Sequence, residues 1–305
     1  MAPKVTVFGE VLWDILPDYK LAGGATMNVA AHLQNYGLET SFISRVGDDT
    51  LGAELLEFMQ KSGLSTELVQ TGQTHLTGIA KANISDQNEV TYKIVHPVAW
   101  DYIQFDESAL QQIRLSQFFV YGTLASRDDV TLDTLLKYLP AASIPVFDVN
   151  LRPPHYTKDG VLKLMEFAKI VKMNDHELKE VTGWLTTYEN ERQAMSFIKE
   201  QFGLNMLILT CGADGAMVLD ETGQFVSHSG FTVNVADTIG SGDAFLGAFL
   251  YKILTKNPVE SALEFGCAAG AYVASKNGAL PGFSETDIDL LIDSQTSARS
   301  SYQSV

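Results

Sequence analysis

Short apolar runs alternate with amphipathic stretches along most of this chain. The runs Lys4–Phe8, Thr40–Arg45, Phe118–Tyr121, Pro145–Val149, Ile170–Met173 and Met206–Leu209 are rich in Val, Ile, Leu and Phe, and they predict strands buried on both faces. Between them, apolar positions spaced at helical period predict helices over Met27–Asn35, Gly52–Lys61, Val130–Tyr138, Val161–Ala168 and Glu189–Gln201. Strand–helix alternation of this kind predicts an α/β fold, with a mainly parallel central sheet flanked by helices. Ligands of such sheets sit beyond the carboxyl ends of the strands, so the loops after each strand are where chemistry is expected.

Two regions break the rhythm. Thr66–Gln70, Thr77–Asn83 and Glu89–Ile94 read as consecutive strands with a turn at Ser85–Asn88. We expect an inserted β lid over about 66–94, the alternative being an edge extension of the main sheet. Beyond Asn205, Met206–Val218 and Gln224–Val235 are β-rich, and Gly242–Asn277 reads as helical. Residues 295–305 are rich in Ser and Gln and are expected to fray. With no repeat and no long linker, one domain spanning 1–305 is expected.

Charge narrows the partners. The 305 residues carry 21 Lys+Arg against 37 Asp+Glu, a formal net charge of −16. That balance argues against nucleic acid, and any anionic substrate must be met by local devices such as backbone N–H groups, a metal or a placed cation. No apolar run is long enough for a membrane span, and Met1–Gly9 enters a strand pattern with no basic, apolar leader. With only two cysteines, Cys211 and Cys267, a reducing, cytoplasmic setting is expected.

The stretch Asp237-Thr-Ile-Gly240-Ser-Gly242-Asp243 follows a strand pattern at Phe231–Val235 and opens the apolar helix pattern Ala244–Leu254. Gly240 and Gly242 let successive backbone N–H groups converge, and the helix dipole adds positive potential there, which makes an anion-binding corner. Asp243 in the first turn could be a simple cap; beside an anion pocket it suits a base acting on the group that attacks the anion. Competing motifs fail on spacing. Phe245 stands where a dinucleotide fingerprint needs Gly, no Gly-Lys pair exists for a Walker A loop, and His176-Glu177 lacks a zincin's second His.

Near the start, Gly23-Gly24-Ala-Thr-Met-Asn28 opens a helix with small residues that admit close backbone approach by a ligand. Asn28 can both donate to and accept from hydroxyls, and Asp14, just past the first strand, suits a pair of adjacent hydroxyls.

Together these segments resemble the ribokinase/PfkB family of carbohydrate and nucleoside kinases over nearly the whole chain. Four motifs stand in the family's order: Gly23-Gly24…Asn28, Asn174-Asp-His-Glu177 as Asn-x-x-Glu, Thr210-Cys-Gly212-Ala-Asp-Gly215 as the nucleotide loop, and Asp237-Thr-Ile-Gly-Ser-Gly-Asp243 as the signature. The resemblance implies a ribokinase-like α/β sandwich with a small β lid, ATP as phosphoryl donor and Mg²⁺ as cofactor. It implies Asp243 as catalytic base, with Gly240, Ser241 and Gly242 as the anion hole. Glu177 and Asn174 would orient Mg²⁺ through water, Thr210, Gly212 and Gly215 would line the nucleotide, and Asp14, Gly23, Gly24 and Asn28 would hold the sugar. Many members also bind a monovalent cation such as K⁺, for which Asp237, Ile239, Val273, Lys276 and Gly278 are placed by position. The lid's outer face can pair between subunits in that family, so a homodimer through the lid is compatible with it.

The opening Gly9-Glu10-Val-Leu-Trp-Asp14, with Tyr121–Arg127 and Asp148-x-Asn150-x-Arg152, looks like the fructokinase branch. Arg152 would offer phosphate oxygens a fixed fork, and Trp100 and His96 would wall the pocket or fill the lid seam. The expected reaction is phosphoryl transfer to a hexose hydroxyl, O6 of fructose. The runner-up acceptor is 2-keto-3-deoxygluconate, whose carboxylate would need a further cation such as Arg127; ribose or a nucleoside ranks lower. A catalytically silent sugar-binding regulator is the reading of a different class, and the presence of Asp243 and Glu177 argues against it.

Overall fold

Within β8 (Phe118–Gly122) consecutive side chains enter different cores: Phe118 and Val120 one, Phe119 and Tyr121 the other. The same alternation holds in β1 (Lys4–Phe8), β9 (Ile144–Asp148), β10 (Ile170–Asn174) and β11 (Met206–Thr210), as a sheet covered on both faces requires. A computed structural model of the chain describes residues 3–84 and 90–302. Its central sheet has nine strands in the order β13-β12-β11-β10-β9-β8-β1-β4-β5, where β4 is Glu39–Gly47, β5 Val69–Gly72, β12 Ala216–Leu219 and β13 Phe225–His228. All neighbours run parallel except the hairpin pairs β11–β12 and β12–β13.

One face of the sheet packs α1 (Ala25–Asn35), α2 (Thr50–Lys61), α8 (Ser241–Leu254) and α9 (Val259–Ala274). The other packs α3 (Glu107–Leu115), α4 (Asp129–Tyr138), α5 (Lys158–Met165), α6 (Asp175–Gly183) and α7 (Glu191–Phe202). The long helical pattern of 242–277 divides at Pro258, which starts α9 and lacks the N–H that a continuous helix would need.

A second, four-stranded sheet has the order β3-β2-β6-β7, with β2 Leu12–Ile15, β3 Lys20–Gly23, β6 Gly78–Ile84 and β7 Val90–Ile94. This corrects the expected lid boundaries in two ways. Val69–Gly72 belongs to the main sheet, parallel to β4, because the β4–α2–β5 crossover returns it there. In exchange, residues 12–23 supply two strands of the small sheet, β2 pairing with β3 antiparallel and with β6 parallel. The expected turn at 85–88 lies outside the described residues.

Two further expectations change. Phe231–Val235 is irregular, half-exposed chain, with Val235 64% exposed, so the signature loop follows a coil. The segment expected to fray is helical backbone through Tyr302 in α10 (Glu285–Tyr302); 303–305 lie outside the described residues.

Candidate active site

The central strands β1, β9, β10 and β11 all end at one edge of the sheet, and the side chains just beyond their ends meet over it. From that edge come Glu10 after β1, Asp148, Asn150 and Arg152 at β9, Asn174 and Glu177 at β10, and Thr210 at β11.

Gly240 stands at the N-cap of α8 with φ 77°, a left-handed conformation that favours glycine. A Cβ there would come 2.5 Å from the Cα of Ala279, so the backbone itself requires glycine. No side chain caps this helix, and Ser241 spends its hydroxyl on the Thr238 carbonyl at 2.9 Å. The Ser241 N–H also turns back to the Thr238 carbonyl, at 3.3 Å, so it is the Gly242 and Asp243 N–H groups of this 14-residue helix that are left for a ligand, at the positive end of its dipole.

Asp243 sits in that first turn. Asn28 on α1 donates from Nδ2 to its Oδ2 at 2.8 Å, while the buried Asn28 Oδ1 has no partner within the chain. Burial, reinforced by the Asp148 carboxylate, pushes the Asp243 carboxyl up to about 6, against the pull of Lys172, Asn28 and Arg152.

Lys172 is a site residue that sequence reasoning missed. It is 6% exposed in the middle of β10, and its Nζ reaches both oxygens of buried Asp148 at 2.9 and 3.2 Å. The same Nζ is 3.3 Å from where a Cβ on Gly242 would stand, which puts an ammonium beside the start of α8. Burial works against its charge, but Asp148, Glu177 and Asp243 hold it above the ordinary lysine value. The signal available in the sequence was a lysine inside the apolar run Ile170-Val-Lys-Met173, since lysine is rarely buried unpaired.

Glu177 and Asn174 form a capping box at the start of α6: Glu177 N–H donates to Asn174 Oδ1 at 2.9 Å and Asn174 N–H to Glu177 Oε2 at 2.8 Å. The other oxygen, Oε1, accepts from Leu151 N–H at 2.9 Å, which ties the loop after β9 to α6. Burial and Asp148 raise the Glu177 carboxyl and Lys172 opposes them. Each oxygen keeps lone-pair capacity, and Asp148, Glu177 and Asp243 outnumber the one buried cation among them. Among the described residues no group of three His, Cys, Asp or Glu could hold a metal directly. That arrangement fits a hydrated Mg²⁺ carried by phosphates and contacted through water. Arg152 is exposed, donates to the Leu151 carbonyl at 3.0 Å, and is near enough to Asp243 to help ionise it.

On the small sheet, Asp14 lies across Gly23, where a Cβ would fall 2.5 Å from its Oδ2. Burial, with the Asp237 carboxylate opposite, pushes Asp14 up to about 6, so β2 carries its acid towards the signature loop. Gly24 packs on the Glu10 carbonyl, and Glu10 itself is 1% exposed. Its Oε1 accepts from Thr26 N–H at 3.3 Å, its Oε2 has no partner, and burial pushes the carboxyl up to about 7. A cavity of about 10 Å³ lies beside it, lined also by Asp148, Asn150 and Thr123.

Of the five positions considered for a monovalent cation, Asp237, Ile239 and Gly278 meet. Asp237 accepts from Ile239 N–H at 3.0 Å and from Gly278 N–H at 3.2 Å, whereas Lys276 turns its Nζ over the Tyr272 ring. In the loop expected to line a nucleotide, Thr210 pairs in register with Asn174, and Gly212 faces open space. Gly215 is held differently: a Cβ there would strike the backbone at 228–230, so its place is in the turn itself.

Arg127 does not supply a free cation. Its Nε and Nη2 engage Asp101 at 2.7 and 2.9 Å, Nη2 also reaches the Val95 carbonyl at 2.6 Å, and the guanidinium lies 4.0 Å over Trp100. With a side chain only 3% exposed, that fork is already filled. Trp100 is fully buried beneath it, filling the seam and not lining a pocket.

The chain is similar to known carbohydrate kinases. The family described as pfkB family carbohydrate kinase matches residues 19–286. Fructokinase-2 of Oryza sativa subsp. japonica is 27% identical over 91% of this chain and 90% of its own. The structure of fructokinase with bound ATP from Xylella fastidiosa superposes with a TM-score of 0.86 at 23% identity, covering 97% of this chain and all of that one. A 2-dehydro-3-deoxygluconokinase from Thermotoga maritima gives 0.84 at 20% identity over 96% of this chain and 99% of that one.

Proposed function

Since the chain belongs to the pfkB family of carbohydrate kinases, we propose that it moves the γ-phosphoryl of ATP to O6 of D-fructose, giving ADP and fructose 6-phosphate. The observation that carries this reading is Asp243 at the mouth of an uncapped helix start, its carboxylate oriented by Asn28. At neutral pH a carboxyl with its midpoint near 6 is mostly ionised yet basic enough to accept a proton in the transition state.

In the proposed reaction the sugar hydroxyl loses its proton to Asp243 as its oxygen bonds to the γ-phosphorus. The bridging bond to the β-phosphate breaks, and its electrons leave with ADP. Negative charge on the equatorial oxygens is met by the free N–H groups at the start of α8 and by Lys172, with Arg152 close by. Asp14 and the free Oδ1 of Asn28 accept hydrogen bonds from sugar hydroxyls. When bound, Mg²⁺ neutralises phosphate charge, and Glu177 with Asn174 would hold its water. The small sheet, bearing Asp14, acts as a lid that keeps water from the transferred group.

Arg127 favours a neutral sugar over a sugar acid, because Asp101 already takes the fork that a carboxylate would need. The test is ADP release from Mg²⁺-ATP with fructose, ribose, 2-keto-3-deoxygluconate, glucose and adenosine, with and without K⁺. Turnover on fructose alone supports the reading. Turnover on another acceptor keeps the kinase and replaces the sugar, and silence on all five points to a sugar-binding regulator.

A further inference from the structure

Helix α1 reaches two parts of the site from one face. Asn28 holds Asp243, and one turn later the buried His32 brings its Nε2 to 3.2 Å from the carbonyl oxygen of Ala279. A carbonyl only accepts, so Nε2 carries the proton; burial keeps the ring neutral by pulling its midpoint down to about 4. The ring is packed against Phe283 at 5.7 Å, and α8 passes so closely that a Cβ on Gly247 would lie 2.8 Å from the His32 Cβ.

Ala279 is the residue against which Gly240 rests, its Cα 2.5 Å and its carbonyl oxygen 3.1 Å from the place of a Gly240 Cβ. The neighbouring Gly278 N–H is bonded to Asp237, whose other oxygen takes Ile239 N–H. Loop 237–240 and residues 278–279 are thus laced together, and His32 fastens that unit to the helix that carries Asn28.

We propose that His32 is a positioning residue for phosphoryl transfer: its Nε2–H holds the Ala279 carbonyl, and so keeps the turn at 240–242 and the helix start it opens in register with Asn28 and Asp243. This rests on the kinase reading above. The bond joins the sugar side of the site to its phosphate side, so losing it displaces one relative to the other without removing a group that touches either substrate. A shift of this kind, of an ångström or less, lowers turnover more than sugar binding.

The experiment compares His32→Leu, which fills the space with no donor, His32→Gln, whose amide reaches the same carbonyl, and His32→Asn, which is one bond too short. Steady-state kinetics with fructose and Mg²⁺-ATP are read beside hydrogen–deuterium exchange of the peptide covering 237–242. For His32→Leu we expect kcat about ten- to hundred-fold lower with the fructose KM within about twofold of wild type. Exchange at 237–242 should be about tenfold faster in that variant, and His32→Gln should restore both readouts. If His32→Leu does not fold, Gln against Asn carries the same comparison. Equal kinetics and equal exchange in wild type and the donorless variants would overturn the proposal. Equal impairment of the Gln and donorless variants would do so as well, since packing of the ring would then be all that matters. Should the wild type phosphorylate none of the sugars, the kinase reading falls while the exchange comparison still decides the role of His32.

Discussion

Asn28 donates a 2.8 Å hydrogen bond to Asp243 although 215 residues separate them in the chain. The contact joins the helix that follows the small sheet to the helix that follows the signature loop. It also leaves one face of the Asn28 amide, Oδ1, buried and without a partner in the protein. One sugar hydroxyl donating to that acceptor would place a second, neighbouring hydroxyl to offer its proton to the base.

Asp243→Asn removes the proposed base and keeps the shape. Turnover on fructose should fall by about 10²–10⁴-fold with sugar affinity little changed, read by steady-state kinetics beside sugar binding by calorimetry. The wild-type rate has its own pH signature. Since Asp243 must be ionised and burial sets its midpoint at about 6, kcat should decline as pH falls through 6. A rate that is flat down to pH 5 would exclude Asp243 as the base.

Glu10 predicts a pH dependence of stability with the opposite sign from the usual carboxylate. Its folded midpoint of about 7 lies above the ordinary 4.5, so the folded state holds the proton more tightly than the unfolded chain does. The protonated carboxyl contributes fully below pH 4.5, and that contribution is lost as pH rises through 7, by about 3 kcal/mol at the limit. Glu10→Gln, permanently neutral, should therefore gain in Tm relative to wild type at pH 8 and not at pH 4. Thermal melts of both proteins at the two pH values check this.

Lys172→Met leaves the buried Asp148 carboxyl without its partner, which should cost about 3–5 kcal/mol in urea unfolding. The double variant Lys172→Met/Asp148→Asn removes both charges and should recover most of that stability. Its turnover should stay low, because the cation beside Gly242 is still missing. Recovery of turnover along with stability would show that Lys172 serves the fold alone.

Gly23→Ala places a methyl 2.5 Å from the Asp14 oxygen and must push the carboxylate aside. The fructose KM should rise by about tenfold or more while the KM for ATP stays near wild type, an asymmetry that kinetics with each substrate varied in turn would reveal.

The short-range parts of this protein could be read from its residues. The apolar runs at Lys4–Phe8, Phe118–Tyr121 and Met206–Leu209 form strands where periodicity places them, because a strand covered on both faces must be apolar throughout. The Asp237–Asp243 segment was equally legible, since it is built from neighbours within one loop and one helical turn, and the Asn174…Glu177 spacing was legible as a motif, although the capping box it forms was not read from it. The small sheet was read poorly. Its strands β2 and β3 are only four residues long, and β6, which pairs with β2, comes some sixty residues later, beyond any local pattern.

By itself, then, the order of residues determined the α/β class, the glycine-rich turn that opens α8 and the motif set that places the chain among carbohydrate kinases, because all of these depend on spacing within a few turns of backbone. Tertiary structure alone decided the rest: that β5 joins the main sheet, that Arg127 is consumed by Asp101, and that Lys172 meets Asp148 under Gly242. Sheet order brings these groups together from distant segments and burial then sets their charge, and neither is written in the distance between residues along the chain.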